Sequence, residues 1–221
     1  MKTIGILGGM SWESSAQYYA LINRGVRGSM GSIASAKIVV HSFDFDEIAR
    51  LQREDEWDRL GGILGEAAAG LERAGADTIL IATNTMHLVV PQVEAAISVP
   101  LMHIADPLGC ALAAQDHAKV GVLATRFTME QPFFAERLAQ HGLEALVPPE
   151  DQRIEMHRII FEELCAGEVS ANSLAKVQGM IADLQSRGAT AIALACTEIM
   201  LLIRPEHGPL PRFDAPQLHC R

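Results

Sequence analysis

The sequence predicts an α/β protein with two similar lobes, because two kinds of pattern recur along it. Short apolar runs rich in Ile, Val and Leu alternate with longer stretches of helical period, as in βα units around a parallel sheet. The stretch ILIATNTMH at 79–87 returns as IALACTEIM at 192–200, which places Thr83 and Cys196 at corresponding positions 113 residues apart (196 minus 83). A second pair, IGIL at 4–7 and VGVL at 120–123, recurs 116 residues apart (120 minus 4).

Each apolar run that ends at small or polar residues is interpreted as a strand, and each longer periodic stretch as a helix. The predicted strands are 3–7, 37–41, 78–82, 101–104, 119–123, 144–147 and 190–195. The predicted helices include 12–26, 57–74, 129–141, 152–165 and 173–187. This alternation is typical of a doubly wound sheet with helices on both faces.

The repeat predicts two Rossmann-like lobes, the first over 1–98 and the second over 99–209. The segment 210–214 has the composition of a short extended piece. We expect it to return to the first lobe, so 210–221 is grouped with that lobe. In open α/β sheets ligands bind beyond the carboxyl ends of the strands. If the lobes face one another, their strand-end loops converge on one inter-lobe cleft, a preferred position for small-ligand sites.

Composition argues against several classes of protein. Hydrophobic residues make up 49% of the 221 residues and the formal net charge is −9, which favours an ordered globular chain and disfavours a binder of nucleic acid. No apolar run approaches the ~20 residues of a membrane span. The apolar stretch near the N-terminus is too short for a signal sequence, so a cytoplasmic protein is predicted. Four cysteines without close pairing predict free thiols rather than disulfides.

Two strand-end loops in the first lobe are candidates for binding an anion. Gly8 and Gly9 do not have the spacing of a dinucleotide fingerprint, so they are predicted to form a tight turn with Ser11 as helix N-cap. Their amides could also approach a carboxylate. One polar residue is enough to cap a helix, whereas Thr83, Asn84 and Thr85 are three in a row. We expect it to bind a carboxylate at a helix N-terminus, where orphan N–H groups and the macrodipole favour negative charge.

Two further loops belong to the second lobe, at 124–126 with Thr125 and at 196–198 with Cys196, Thr197 and Glu198, and we expect Thr125, Thr197 and Glu198 to contact the substrate. A free cysteine is more often a buried small hydrophobe than a reactive group. Cys196, however, comes where an apolar strand ends and a helix is predicted to begin. That environment lowers a thiol pKa. The other three cysteines are interpreted as structural.

Histidines and the segment after the second strand carry less information. The eight His show no metal-binding spacing, so no metal site is predicted. His87 is one turn into the predicted helix, where a surface or supporting role is expected rather than catalysis. Gln52 and Arg53 could reach the cleft, but their spacing alone fits a solvated helix face.

Together, GGMSWES, TNTMH, TRFTMEQ and ACTE resemble the aspartate/glutamate racemase family of cofactor-independent amino-acid racemases. The likeness runs from residue 1 to Asp214. It implies a two-lobed homodimer that binds a small acidic amino acid between its lobes and uses no cofactor, neither pyridoxal phosphate nor metal. In such enzymes one cysteine from each lobe flanks the substrate.

The resemblance assigns roles to residues of this chain. Cys196 matches the catalytic cysteine of the second lobe, whereas Thr83 stands where the first-lobe cysteine would be. Substrate contacts are implied at Thr83, Asn84 and Thr85, with Met10 and Gln52. Some relatives carry a lysine at the position of Cys165, so a cationic contact is not expected there.

The chemistry fits a thiol better than a hydroxyl. Removing an α-proton without a cofactor needs a nearby base on one face and a proton donor on the other, with donors for the developing carboxylate charge. Cys196 suits one role, while Thr83 would act on the other face directly or through a water. We therefore expect a racemase acting on aspartate or glutamate that favours one enantiomer, with a lean to the L-form.

Two alternatives stay open from sequence. One is a decarboxylase of disubstituted malonates, or a cis-trans isomerase of an unsaturated diacid, which needs a single active-site cysteine. The other is a binder of acidic amino acids without catalytic activity, in which Thr83 marks a lost thiol. Carbon dioxide release from arylmalonates tests the first, and binding of L-aspartate without exchange of its α-hydrogen would indicate the second.

Overall fold

The computed structural model describes residues 1–204 and 207–221 and divides them into two compact units. The first unit comprises Met1–Ile104 with His219–Arg221, and the second comprises Ala105–Leu218. Each unit contains one four-stranded sheet whose strand pairs are all parallel. The predicted two-lobed α/β class is confirmed.

The sheet of the first unit has the strand order β2-β1-β3-β4. Its strands are β1 (Thr3–Gly8), β2 (Lys37–Ser42), β3 (Thr78–Ile81) and β4 (Leu101–Met102). Its helices are α1 (Trp12–Met30), α2 (Phe45–Arg53), α3 (Trp57–Arg73) and α4 (Val90–Ala95), with a 3₁₀ turn at Thr85–Val89. One face of the sheet packs on α2 and α3 around Leu51, Leu64 and Ile79, and the other on α1 around Tyr18 and Leu80.

The sheet of the second unit repeats this order as β6-β5-β7-β8. Its strands are β5 (Lys119–Leu123), β6 (Glu144–Leu146), β7 (Ala191–Leu194) and β8 (Arg212–Asp214). Its helices are α5 (Ala105–Ala113), α6 (Arg126–Glu130), α7 (Pro132–Ala139), α8 (Glu150–Arg158), α9 (Ala171–Ser186), α10 (Ile199–Leu202) and α11 (Ala215–His219). A π-helix at Ile159–Glu163 and a 3₁₀ turn at Leu164–Ala166 extend α8.

The internal repeat extends to individual hydrogen bonds. The amide of Ala82 donates to the Leu7 carbonyl at 2.9 Å, and the amide of Ala195 donates to the Leu123 carbonyl at the same distance. A Cβ added to Gly5 would lie 2.7 Å from Cδ1 of Ile79, and a Cβ on Gly121 would lie 2.7 Å from Cδ1 of Ile192. The next residues, Thr83 and Cys196, therefore occupy equivalent positions at the ends of β3 and β7.

The boundary between the lobes differs from the predicted one at 98/99. Strand β4 pairs with β3, with Ile79 opposite Leu101, so residues up to 104 belong to the first unit. The tail prediction was also wrong for 210–214, because Phe213 lies opposite Ala193 in the second sheet. Only His219–Arg221 return to the first unit. Both differences arise from strand pairing, which the local pattern of the chain does not specify.

Two predicted helices are interrupted. The helix expected at 129–141 is divided at Gln131, whose backbone is extended (ψ 146°) before Pro132, since the proline ring excludes the helical conformation from the preceding residue. The helix expected at 152–165 changes to the π form at Ile159 and to 3₁₀ at Leu164. Among the described residues, no helix combines the length and hydropathy needed to cross a membrane.

Candidate active site

The first strand-end loop, Gly8 to Ser11, is held closely against the end of β2. The Phe43 amide donates to the Gly8 carbonyl at 3.0 Å, and the Gly9 amide donates to Oγ of Ser15 at 2.7 Å. Gly9 has φ of +84°, and a Cβ there would collide with the backbone of Phe43. Only glycine fits this conformation and this approach. Ser11 caps α1 as predicted, accepting from the amide of Ser14 at 3.3 Å.

The second loop begins at Thr83, directly after β3. The carbonyl of the preceding Ala82 accepts from the Ser14 hydroxyl of α1 at 2.7 Å, so α1 fixes the loop as well as the glycine turn. The prediction of an α-helix N-terminus here was wrong. Residues Thr85–Val89 form a 3₁₀ turn, and Asn84 makes no side-chain capping bond. A single 3₁₀ turn has few aligned peptide dipoles, so the macrodipole contributes less than expected.

Gln52 lies close to this loop, and both Gln52 and Met10 are buried. Gln52 is 5% exposed, and its amide nitrogen lies 3.1 Å from the sulfur of Met86 in the 3₁₀ turn. The solvated helix face expected from its spacing was therefore wrong. Met10 is buried in the same core cluster as Leu51 and Met86. The structure thus places Gln52 against the 3₁₀ turn that follows Thr83, whereas the substrate contacts that the resemblance implies for Gln52 and Met10 remain predictions.

The third loop carries Cys196 at the end of β7. Its thiol donates to Oε2 of Glu198 at 2.9 Å, and the hydroxyl of Thr197 donates to the same oxygen at 2.7 Å. One carboxylate oxygen thus accepts from both side chains.

The environment of Cys196 raises its thiol pKa well above the ordinary value, through burial first and the negative charge of Glu198 second. The sequence expectation of a lowered pKa was therefore wrong. Helix α10 spans only Ile199–Leu202, which is too short for a substantial dipole, and the Glu198 carboxylate opposes formation of the thiolate. In the resting protein Cys196 is a thiol whose proton already points at an acceptor.

The fourth loop follows β5 and contains Thr125. This side chain is buried, and its hydroxyl lies 3.4 Å from that of Thr128. The following amide, of Arg126, donates to Nδ1 of His157 on α8 at 3.4 Å. Burial and Arg126 lower the pKa of His157, which fits an uncharged ring that accepts this bond. His157 was not singled out by any sequence motif.

Of the two positions expected for His87, at the surface or supporting the site, the structure shows the second. His87 is 1% exposed, and its Nδ1 lies 2.9 Å from the carbonyl oxygen of Thr83. A sequence signal exists in its spacing, because a residue four positions after Thr83 faces back toward it across one turn. Across the described ranges 1–204 and 207–221, no three or more His, Cys, Asp and Glu side chains are grouped to hold a metal ion.

A cavity of about 430 Å³ in the first unit is separate from these loops. It lies between α1 and the C-terminal residues, and its walls include Ile22, Val26, Leu80 and Met102. It contains none of the predicted site residues. Its lining is mostly apolar, and the cysteine and histidine in it, Cys220 and His219, do not belong to the strand-end loops.

Comparison with known proteins assigns the chain to a family. The family model for Asp/Glu/hydantoin racemases matches residues 7–221. A candidate Asp/Glu racemase from Yersinia pestis has a crystal structure with a TM-score of 0.94 and 42% identity, covering 100% of this chain and 96% of that one. An aspartate racemase homologue from Pyrococcus horikoshii OT3 gives a TM-score of 0.86 and 34% identity, with coverage of 100% and 96%.

Among curated proteins, the broad specificity amino-acid racemase RacX of Bacillus subtilis is 23% identical over 218 residues, covering 96% of this chain and 92% of the relative. These matches place the chain among amino-acid racemases, a class of isomerases. The chain belongs to the Asp/Glu/hydantoin racemase family.

Proposed function

We propose that the chain racemises acidic amino acids, aspartate and glutamate, by removing and returning the α-proton without a cofactor. The observation that carries the proposal is the Cys196–Glu198 pair, in which a thiol donates to a carboxylate 2.9 Å away. The family, the Pyrococcus relative named for aspartate and RacX named for amino acids support this reaction class.

In the proposed reaction Glu198 completes the function of Cys196. When Cys196 acts as the base, its own proton moves to Oε2 of Glu198 and the resulting thiolate takes the α-hydrogen. In the reverse direction the same steps run backwards: the Cys196 thiol returns its proton to carbon, and the thiolate left behind takes back the proton held by Glu198. Proton exchange with solvent completes each turnover and restores the proton exchanged at Thr83 or its water. Because the Cys196 pKa is raised, thiolate is scarce in the resting protein, but once formed it is a strong base for the α-hydrogen.

The second proton transfer is proposed at Thr83, directly or through an ordered water. Inversion needs a donor on the face of the substrate opposite Cys196. The proposal therefore requires that one substrate molecule contact groups from both units. A hydroxyl is a far weaker acid than a thiol, so the two directions of the reaction would be unequal. We propose that L-substrates are favoured.

The remaining contacts are proposed for the substrate carboxylates and ammonium. Asn84, Thr85, Thr125 and Thr197 offer amide and hydroxyl groups at strand ends, where donors can stabilise the charge that develops on the α-carboxylate. Gln52 would bind from beside Met86. Because the side chain of Met10 lies in the core, its contribution is assigned to its backbone.

We propose that the reaction does not use pyridoxal phosphate, because of where the lysines lie. Such chemistry uses a lysine Schiff base. The sequence has four lysines. Lys2 precedes β1, while Lys37 and Lys119 begin β2 and β5, at the strand ends away from the loops. Lys176 on α9 is paired with Glu155 at 2.7 Å.

A one-cysteine reaction is the second candidate, because Thr83 leaves one thiol in the paired positions. A decarboxylase of disubstituted malonates needs a single proton donor, and the protonated Cys196 fits that role. Exchange of α-hydrogen in D2O, followed for L- and D-aspartate and glutamate, tests racemisation. Release of carbon dioxide from an arylmalonate without any such exchange would favour the decarboxylase.

A homodimer is proposed to assemble through the first unit. Met30 and Met102, which line the 430 Å³ cavity, are 63% and 44% exposed, and apolar surface of this kind is typical of an interface. Met30→Glu should therefore dissociate the dimer in sedimentation experiments. Ile154→Glu, at an exposed site of the second unit, is the control that should leave it intact. A monomeric wild-type protein would contradict the assignment.

A further inference from the structure

The ring of His87 is fixed between two backbone groups of opposite polarity. Its Nδ1 lies 2.9 Å from the Thr83 carbonyl oxygen, and its Nε2 lies 3.1 Å from the Ile104 amide nitrogen. A carbonyl can only accept and an amide N–H can only donate. Nδ1 must therefore carry the proton and Nε2 the lone pair. This pattern selects one neutral tautomer, since a protonated ring would turn a second N–H toward the Ile104 amide.

These bonds hold the peptide from which the Thr83 side chain projects. On one side, the Ser14 hydroxyl of α1 donates to the Ala82 carbonyl at 2.7 Å. On the other, His87 donates to the Thr83 carbonyl and accepts from Ile104, which follows β4. The carbonyls of two consecutive residues are thus fixed from different elements. Because the direction of a side chain follows its backbone, the orientation of Thr83 is set by both.

The surroundings of His87 favour its neutral form. Its ring contacts those of His103, at a centroid distance of 4.6 Å, and His219, at 5.9 Å. His219 is itself held by the Tyr18 hydroxyl at Nδ1, 2.9 Å, and by the Met102 carbonyl at Nε2, 2.8 Å. Burial, and then the neighbouring His103 and His219, lower the pKa of His87 well below 6.5. A group so placed holds its hydrogen bonds rather than carrying protons at neutral pH.

Within the described residues of the second unit, no histidine stands at the position equivalent to His87. The residue 113 positions after His87 is Met200, which cannot donate to the carbonyl of Cys196. The Cys196 side chain is instead bonded directly to Glu198. A thiol beside a carboxylate has a local proton acceptor, whereas a hydroxyl depends on being held in the correct direction.

We propose that His87 is a positioning residue for the proton transfer at Thr83. The proposal rests on the proposed racemisation. Its neutral Nδ1–H orients the Thr83 peptide so that the hydroxyl, or the water it binds, faces the substrate carbon. His87 does not itself touch the reacting atoms. Loss of this hydrogen bond should therefore impair inversion, which needs Thr83, more than exchange on the face that Cys196 serves alone.

The substitution series separates orientation from general packing. His87→Ala removes both hydrogen bonds. His87→Asn keeps an N–H donor close to the position of Nδ1 but does not reach Ile104. Val89→Ala, in the same 3₁₀ turn and 1% exposed, is the matched control because it removes buried apolar volume without touching the Thr83 carbonyl.

The readout compares two rates in D2O, exchange of the α-hydrogen with retention and exchange with inversion. His87→Ala is expected to lower inversion ~100-fold, the usual effect of a misplacement of about 1 Å, while exchange by Cys196 stays close to the wild-type rate. The inversion rate of His87→Asn should be at least ~10-fold higher than that of His87→Ala, since the asparagine N–H partly restores the orientation of the Thr83 peptide. Val89→Ala should change both rates by the same factor or leave both unchanged.

Several results would overturn the proposal. Equal loss of both rates in His87→Ala, no loss of either, or an Asn variant no better than Ala would each reject positioning. If His87→Ala fails to fold, ¹⁵N shifts of the wild-type histidines decide the matter, because a cationic His87 at pH 6 or an Nε2–H tautomer would contradict the assigned bonds. A wild-type protein that exchanges no α-hydrogen would instead reject the racemisation on which the role depends.

Discussion

The loops after β3 and β7 leave their sheets with the same backbone hydrogen bond and then differ in what they stabilise. In the first unit the buried ring of His87 forms a hydrogen bond with the Thr83 carbonyl, and this bond fixes the backbone. In the second unit the thiol of Cys196 donates a hydrogen bond to the carboxylate of Glu198, and this bond fixes the side chain. The first loop therefore has a fixed backbone direction at Thr83, whereas the second has a carboxylate that changes the proton affinity of the Cys196 thiol.

This difference follows from the acidity of the two side chains. A thiol can pass its proton to a carboxylate at hydrogen-bond distance during the reaction, at a cost that its raised pKa increases. A hydroxyl cannot, so its contribution depends on geometry and on water. In the proposed reaction the two proton transfers are thus supported by different interactions at equivalent positions, a hydrogen bond to the backbone in one unit and a hydrogen bond to the side chain in the other. The following experiments test this comparison, from the largest expected effect to the smallest.

Removal of the thiol should have the largest effect. Cys196→Ala is expected to lower both exchange and inversion by ~10³-fold, because the group acts in both directions and general acid–base catalysis is of this size. Cys110→Ala, in the same unit and with an exposed thiol 3.9 Å from Nδ1 of His141, is the control. A fully active Cys196→Ala protein would reject the mechanism.

Neutralising the Glu198 carboxylate should have opposite effects on the alkylation rate of Cys196 and on the rate of racemisation. Burial raises the Cys196 pKa most and the Glu198 charge adds to it, so Glu198→Gln removes the second cause and should accelerate alkylation of Cys196 by iodoacetamide near neutral pH. Racemisation should nevertheless fall ~100-fold, because the proton acceptor is lost. Glu162→Gln, at a solvent-exposed carboxylate beside Arg158, should change neither rate. Slower alkylation in Glu198→Gln would contradict the assigned electrostatics.

Making the two loops alike should reduce their asymmetry. Thr83→Cys places thiols at both equivalent positions, and the ratio of exchange rates of the two enantiomers should move toward one by ~10-fold or more. Thr83→Ser keeps a hydroxyl and serves as the matched variant, in which the ratio should remain unequal. Unchanged ratios in Thr83→Cys would show that the residue at 83 does not determine the preference.

The glycine turn is expected to matter for stability in one unit only. Gly9→Ala should cost ~3 kcal/mol, because it adds a clash with the Phe43 backbone to the strain of a positive φ. Gly75→Ala has a positive φ of +93° in open space and should cost only ~1 kcal/mol. The equivalent of Gly9 in the second unit is Thr125 (9 plus 116), so that loop needs no glycine. Urea unfolding measures both changes.

The smallest effect concerns acid stability. The folded-state pKa of His87 is depressed below 6.5, so its contribution is fully present above pH 6.5 and is lost as pH falls toward the folded pKa. The free energy of unfolding should decline by at most ~1.4 kcal/mol per pH unit from this group. His87→Asn should remove that part of the slope, whereas an unchanged slope would show that His87 is charged in the folded protein.

The sequence predicted the parts of the molecule that depend on local pattern. The strands, the repeated loops and the equivalence of Thr83 and Cys196 follow from short apolar runs that end in polar residues. The pairing of β4 and β8 did not follow, because a few extended residues can join either sheet and the choice depends on distant backbone partners. This is why the boundary at 98/99 and the return of 210–214 were misplaced.

The electrostatics of the site were the least predictable from sequence. The expected lowering of the Cys196 pKa assumed a long following helix, but α10 has four residues and Glu198 turns its carboxylate to the thiol. Spacing alone suggested that Gln52 lay on a solvated face and left His87 either at the surface or supporting the site. Both are buried, Gln52 against Met86 and His87 against His103 and His219, and such contacts between distant parts of the chain depend on the tertiary fold.

The most direct test of the proposed asymmetry is α-hydrogen exchange in D2O, measured by proton NMR on the wild-type enzyme with L- and D-aspartate and L- and D-glutamate in turn. Cys196 with its carboxylate on one face and Thr83 on the other predict exchange of both enantiomers at clearly different rates, with the L-form faster. Equal and fast exchange of both enantiomers would contradict the account.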